Sequence, residues 1–150
     1  MIRRAKEQDV WAIFRIEKDV FPSPLDLKFL IQELSDNPYA VYFVLEENQS
    51  IVAYLGFRVV DEQAEMMNFA VLKDYQSQGL GTRLLTQCLK ELAQMGVKML
   101  SLEVRRSNHK AQHLYEKEGF VKSHIRKEYY PNEDAFVYVK EVNASDYLSR

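Results

Sequence analysis

The stretch that most constrains this chain is Asp74-Tyr75-Gln76-Ser77-Gln78-Gly79-Leu80-Gly81-Thr82-Arg83-Leu84-Leu85. It follows an apolar run at 66–72 and opens the most strongly amphipathic segment of the sequence. Two glycines one residue apart, between a strand and a helix, let the backbone turn sharply and approach a ligand closely. The amides that follow are helix-start donors without partners, and the helix dipole adds partial positive charge there. Such an end suits an anion, above all a phosphate or pyrophosphate.

Spacing separates the competing motifs. A dinucleotide fingerprint needs a third small residue at position 84, where Leu84 stands, and no acidic ribose partner lies at the right distance. A P-loop needs Gly-Lys-Ser/Thr after the glycines, and Gly81-Thr82-Arg83 does not supply it. Gln-x-x-Gly-x-Gly remains. It is either an anion loop or an ordinary glycine-rich strand-to-helix turn.

A chain of 150 residues with 47% hydrophobic and 28% charged residues is long enough for a real core and is not a disordered composition. The net charge of −2 argues against nucleic acid as a main partner. Arg105, Arg106, His109 and Lys110 do crowd one strand-to-helix junction, but helix surfaces are commonly this charged. The single cysteine, Cys88, allows no internal disulfide, which fits a reducing cytoplasm. Its place on an apolar helix face marks a small buried hydrophobe rather than a nucleophile. No apolar run approaches the ~20 residues that cross a bilayer, and the N-terminus lacks the apolar centre of a signal peptide, so no membrane partner is expected.

In order, residues 2–4 read as a strand. Asp9 can cap a helix carrying Val10, Ile13, Phe14 and Ile16, which Pro22-Ser23-Pro24 breaks. A second helix is expected over about 25–34. Three strands follow, at 40–45, 51–60 and 64–72, with short turns that imply an antiparallel meander. After the glycine stretch, Leu80, Leu84, Leu85, Cys88, Leu89, Leu92 and Met95 form a helical stripe, and Gly96 is placed to end it. A strand over 97–105 turns Leu100, Leu102 and Val104 one way and Ser101, Glu103 and Arg105 the other. Ser107 or Asn108 caps a further helix that stops at Gly119, and 120–127 with 135–142 close as a hairpin. The order β α α β β β α β α β β is an α/β fold, a mixed, mostly antiparallel sheet of about seven strands with helices on both faces. One domain over 1–142 is expected, with a polar C-terminal tail at 143–150.

Several residues could carry chemistry. Glu103 is a general base, or a strand carboxylate in an ion pair such as one with Arg105. Tyr115 is a general acid, or a core tyrosine. Asn108 is a ligand contact, or simply a helix cap. Arg126, Tyr129 and Tyr130 line a peptide groove, or belong to an edge strand and turn. The histidines at 109, 113 and 124 lack metal spacing, and no metal is assigned.

Residues 66–131 resemble the GCN5-related N-acetyltransferase (GNAT) family, and within it the bacterial ribosomal-protein-alanine N-acetyltransferases. Met67-Asn68-Phe69-Ala70-Val71 is similar to the strand whose main chain holds the acetyl-pantetheine arm, and Gln76 to Thr82 to the pyrophosphate loop. Leu102-Glu103-Val104-Arg105, Ser107-Asn108, Ala111 with Leu114-Tyr115-Glu116-Lys117-Glu118-Gly119-Phe120, and Arg126 with Tyr129-Tyr130-Pro131 complete the likeness. Ile2-Arg3, Glu17 and Phe21-Pro22 extend it to the front. The loop departs from the family at Gln76 and Ser77, often arginines there.

The resemblance implies acetyl-coenzyme A as co-substrate, held by Phe69, Ala70, Val71, Gln76, Ser77, Gln78, Gly79, Leu80, Gly81, Thr82 and Asn108. It implies Glu103 as base and Tyr115 as acid, with Arg126, Tyr129 and Tyr130 toward the acceptor. The implied acceptor is a protein N-terminal α-amine, the alanine of a small-subunit ribosomal protein. A small-molecule amine acetyltransferase acting on polyamines or antibiotics, or a non-catalytic acyl-coenzyme A-binding module, are the alternatives. The joint presence of Glu103 and Tyr115 tells against the last.

Overall fold

The computed structural model describes residues 1–148. Its strands are β1 (Ile2–Arg4), β2 (Ala40–Glu47), β3 (Ser50–Val60), β4 (Gln63–Val71), β5 (Met99–Arg105), β6 (Val121–Tyr130) and β7 (Glu133–Glu141). Its helices are α1 (Val10–Val20), α2 (Leu27–Ser35), α3 (Leu80–Gln94), α4 (His109–Lys117) and a short α5 (Ala144–Leu148). The strands follow the order β1-β2-β3-β4-β5-β7-β6, with the β4–β5 pair parallel and the pairs β1–β2, β2–β3, β5–β7 and β6–β7 antiparallel. The expected mixed, mostly antiparallel sheet is therefore present, and α5 forms within the segment expected as a polar tail. The end of that tail, 149–150, lies outside the described residues.

The chain divides into two compact units, Met1–Val59 with Met67–Cys88, and Val60–Met66 with the chain from Leu89 onward. In the first, α1 buries Val10, Ile13, Ile16 and Glu17, one stripe at helical spacing. They pack with Leu30 of α2, Tyr42 and Val44 of β2, Tyr54 of β3 and Ala70 of β4. Ile13, Ile16, Leu30 and Val44 are wholly withdrawn from water, and each such side chain stabilises the fold by roughly 1.5–3 kcal/mol.

Glu17 is buried because its carboxylate accepts the Tyr54 hydroxyl proton on one oxygen and the Leu25 amide, at 2.9 Å, on the other. The second bond pins the chain just after Pro22-Ser23-Pro24, so α2 begins at Leu27 rather than Leu25. Asp9 precedes α1 without capping it through its side chain. Its carboxylate instead takes two bonds from Arg3, at 2.8 and 3.0 Å, and the Lys6 amide at 2.6 Å.

In the second unit β5 alternates as expected: Leu100, Leu102 and Val104 are buried, and Met99 and Arg105 are exposed. It starts two residues later than expected, because Val97 donates its amide to the Leu92 carbonyl (3.0 Å) and completes the end of α3. Gly96 and Gly119 stand at φ +86° and +93°, as residues that end helices in the left-handed conformation do. Strand β6 is the edge of the sheet and is exposed along nearly its whole length. Met95, expected on the buried stripe of α3, lies in the turn after the helix and is exposed.

Candidate active site

In the first unit the glycine loop hangs from the end of β4. Gln76 folds back and donates from Nε2 to the Val71 carbonyl (2.8 Å), and the Lys73 amide donates to Asp19 Oδ2 (2.8 Å). The two loop glycines are needed for different reasons. Gly79 has φ +81°, and a Cβ there would meet nothing within 4 Å, so its value is conformational. Gly81 has an ordinary φ, but its Cβ would lie 3.4 Å from Phe69 Cζ and 3.7 Å from Val71 Cγ2. The first turn of α3 thus rides directly on the two side chains that β4 points toward it. Ala70, on the opposite face of β4, belongs to the core.

The Arg83 amide makes a bond to the Gly79 carbonyl (3.1 Å), and helix geometry leaves the amides of Leu80, Gly81 and Thr82 ahead of it without intrahelical acceptors. A loop of small residues with orphan amides at the head of a 15-residue helix fits a pyrophosphate. Ser77 (φ +62°) shapes the turn, and Gln78 braces it by donating from Nε2 to the Asp74 carbonyl (3.3 Å).

In the second unit a carboxylate, two arginines and two tyrosines converge. Glu103 Oε1 accepts from Arg126 Nη1 at 2.8 Å. The ion pair of Glu103 is therefore with Arg126 of β6 and not with Arg105. Arg105 is engaged elsewhere, 3.2 Å from Glu133 and with its guanidinium 4.1 Å from the Tyr130 ring centre.

Strand register explains this. Arg105 and Arg126 both pair with Ala135, from opposite sides of β7, so both side chains emerge on the Glu103 face over a single methyl group. The Arg126 guanidinium lies 4.6 Å from the Tyr129 ring centre, and the Tyr129 and Tyr130 rings meet edge to face at 5.0 Å. The ladder slips between Arg126 and Tyr130, and Glu128 (φ +52°) donates its amide to Asp134 Oδ1 at 2.9 Å. That bulge brings both tyrosines to the arginines.

Tyr115 projects from α4, packed against Phe120 and Tyr138, with its hydroxyl 3.5 Å from Met66 Sδ. Burial pushes its phenol well above the usual tyrosine range, and Tyr130 adds to the shift. Tyr130 is itself raised, by burial first, with Tyr129 and Glu103 contributing.

Asn108 is the N-cap of α4, its Oδ1 accepting the Ala111 amide at 3.1 Å. Sequence reasoning missed Met66, Glu133 and Gln112. Glu133 accepts the Ser107 amide (2.6 Å), which with Arg105 holds its carboxyl below the usual range. Gln112 is buried and donates to the Arg105 and Arg106 carbonyls at 3.0 and 2.8 Å, fixing the end of β5. A glutamine four residues beyond a helix cap carries no local signal of that role.

Among the described residues no cluster of three or more histidine, cysteine, aspartate or glutamate side chains could hold a metal, and no helix is long and apolar enough to cross a membrane.

This fold and loop belong to a known class. The chain is a member of the acetyltransferase (GNAT) family, whose model matches residues 8–120, and it is an acetyl-coenzyme A-dependent N-acetyltransferase. Among particular proteins, the chain is similar to several that modify a ribosomal protein. The [ribosomal protein bS18]-alanine N-acetyltransferase of Escherichia coli K12 is 38% identical over 126 residues, 84% of each chain. A Bacillus subtilis (strain 168) protein to which the same activity is assigned provisionally is 35% identical over 144 residues, 95% of each chain. The crystal structure of the E. coli ribosomal-protein-S18-alanine N-acetyltransferase superposes with a TM-score of 0.90 at 35% identity, covering 95% of this chain and 94% of that one.

Proposed function

We propose that the protein transfers the acetyl group of acetyl-coenzyme A to the N-terminal α-amine of the alanine of ribosomal protein bS18, and that residues 1–142 act as one acetyltransferase domain in the cytoplasm. The family match over 8–120 draws on both compact units, which supports the single domain. Relatives that carry this activity in their names align over most or nearly all of the chain, which supports the acceptor. The observation that supports the catalytic reading is the recessed Glu103 carboxylate, paired with Arg126 at 2.8 Å beside Tyr129, with the buried Tyr115 hydroxyl held only by the Met66 sulfur in the same unit.

Backbone amides at Gly79–Thr82 hold the pyrophosphate, and Phe69, Ala70 and Val71 offer main chain to the acyl arm. Coenzyme A supplies an activated thioester. The acceptor's α-ammonium passes one proton to Glu103, through water. The neutral amine then forms the N–C bond as the C–S bond breaks, and the nitrogen sheds its second proton to solvent, from which the Tyr115 phenolate is reprotonated once its own proton has gone to the sulfur. Tyr115 gives its phenolic proton to the departing sulfur. Its burial keeps that proton in place until negative charge develops nearby. Met66 Sδ holds the hydroxyl beforehand through a weak bond that a thiolate readily displaces. Tyr129, Tyr130 and Arg126 line the approach of the peptide.

The test is mass spectrometry on a synthetic bS18 N-terminal peptide with acetyl-coenzyme A. Acetylation at the terminal alanine, lost in Glu103→Gln, is expected. Equal turnover on spermidine or an aminoglycoside would transfer the assignment to a small-molecule acceptor.

A further inference from the structure

We propose that the Arg126 guanidinium occupies the position on Glu103 that the acceptor's α-ammonium takes, so that acceptor binding exchanges one cation for another. The inference rests on Glu103 being the base. Glu103 is recessed, its side chain 15% exposed, whereas Arg126 is 50% exposed and covers it. Among the described residues Arg126 is its only ion-pair partner, and the bond at 2.8 Å is as short as charge-assisted bonds ordinarily are. An ammonium that is to lose a proton to this carboxylate, directly or through one water, competes with the guanidinium for the same negative charge, and at Oε1 for the oxygen itself. A guanidinium never gives up its proton in a protein, so the resident cation opposes the ammonium without serving as a proton donor in its place.

The arrangement favours exchange over permanent pairing. The Cα of Arg126 is fixed by its pairing with Ala135, so the side chain alone has to move. It already lies against the ring of Tyr129, a residue 47% exposed, which keeps a cation-binding face for the released guanidinium. The other nearby cation, Arg105, is held by Glu133 and Tyr130 and does not take its place. His124, also on this face opposite Val137, contacts Ser123 Oγ. Half-exposed pairs of this kind hold their partners weakly, so exchange alters acceptor affinity by a small factor rather than by decades.

The experiment is steady-state kinetics with the bS18 N-terminal peptide on the full chain, comparing wild type, Arg126→Gln, Arg126→Met and Arg126→Lys. Loss of the resident cation is expected to lower the peptide KM roughly 2- to 5-fold in the Gln and Met variants. Lysine is expected to restore the wild-type KM. In Arg126→Gln, methylguanidinium chloride is expected to compete with the peptide at concentrations where equal sodium chloride does not. A peptide KM that rises or stays unchanged in both neutral variants, or no competition by methylguanidinium, would overturn the exchange. Glu103→Gln is measured separately. Wild-type turnover there removes the base itself, whereas its loss beside an unmoved KM in the Arg126 variants removes only the exchange.

Discussion

The Tyr115 hydroxyl points at the Met66 sulfur from 3.5 Å, beneath the rings of Phe120 and Tyr138. A phenol held by so weak an acceptor, in so apolar a setting, keeps its proton at any ordinary working pH. Its bond strengthens only when a better acceptor forms. Tyr115→Phe is therefore expected to lower turnover by ~10²- to 10⁴-fold while leaving coenzyme affinity within a factor of a few. Single-turnover rates beside calorimetric coenzyme titration check it, and a wild-type chemical rate would return Tyr115 to the core.

The glycine loop makes a second contrast. A valine at Gly81 would drive its γ carbons into Phe69 and Val71, since even a Cβ meets Phe69 Cζ at 3.4 Å. Because the orphan amides sit on that same turn, coenzyme binding should weaken by at least tenfold. Ser77→Ala removes a hydroxyl but no amide, and is expected to bind nearly as the wild type does. Ser77→Gly relieves a left-handed serine, roughly 1–2 kcal/mol, against roughly 0.5–1 kcal/mol of added unfolded-chain freedom, and should leave stability unchanged or slightly raised. Equal calorimetric losses in Gly81→Val and Ser77→Ala would show that side chains rather than amides hold the anion.

Asp9 gives a stability prediction with a definite sign. Its carboxyl is held below the ordinary value, by the Arg3 guanidinium first and aided by the Lys6 amide, against the opposing effect of burial. A depressed folded-state value means stability that is present above about pH 4, where the unfolded chain's aspartate is ionised, and lost as pH falls toward the folded value. Asp9→Asn is expected to cost roughly 1.5–3 kcal/mol at pH 7, the range for hydrogen bonds to charged groups. That deficit should shrink as pH falls below 4. Urea midpoints at pH 7 and pH 3 check it, and an unchanged deficit would mean that the geometry of the turn, not the charge, is what counts.

Much of this was legible in the sequence wherever the signal is local. The period-two alternation of β5, the left-handed glycines at 96 and 119, and the strand–Gly-x-Gly–helix order each follow from backbone sterics within a few residues. The partner of Glu103 does not. It depends on β7 inserting between β5 and β6, and on Ala135 being small enough for Arg126 to reach across. No spacing rule joins position 103 to 126. Buried Glu17 was hidden for a similar reason: it falls on the apolar stripe of α1 only because Tyr54, 37 residues on, brings a hydroxyl to it. Asn108 was ambiguous in sequence, and its cap bond accounts for one of its atoms without bearing on the coenzyme.

The acceptor separates the readings most sharply. If Glu103 is the base, the enzyme should prefer a free α-amine to a lysine side chain. An α-amine near pKa 8 is neutral roughly a few hundred times more often at pH 7 than an ε-amine near 10.4. The one recessed carboxylate here is itself paired with Arg126, and a carboxylate close to a lysine favours its charged form rather than depleting it. A chain end also enters beside Tyr129 and Tyr130 without two flanking peptide segments to accommodate. On peptides carrying both amines, mass spectrometry is expected to find acetyl at the terminus alone. With the terminus blocked, turnover should fall by at least two orders of magnitude, in line with the difference in neutral amine. Acetylation that moves to lysine at an undiminished rate would mean that Glu103 does not select by amine basicity, and would point to a side-chain or small-molecule acceptor.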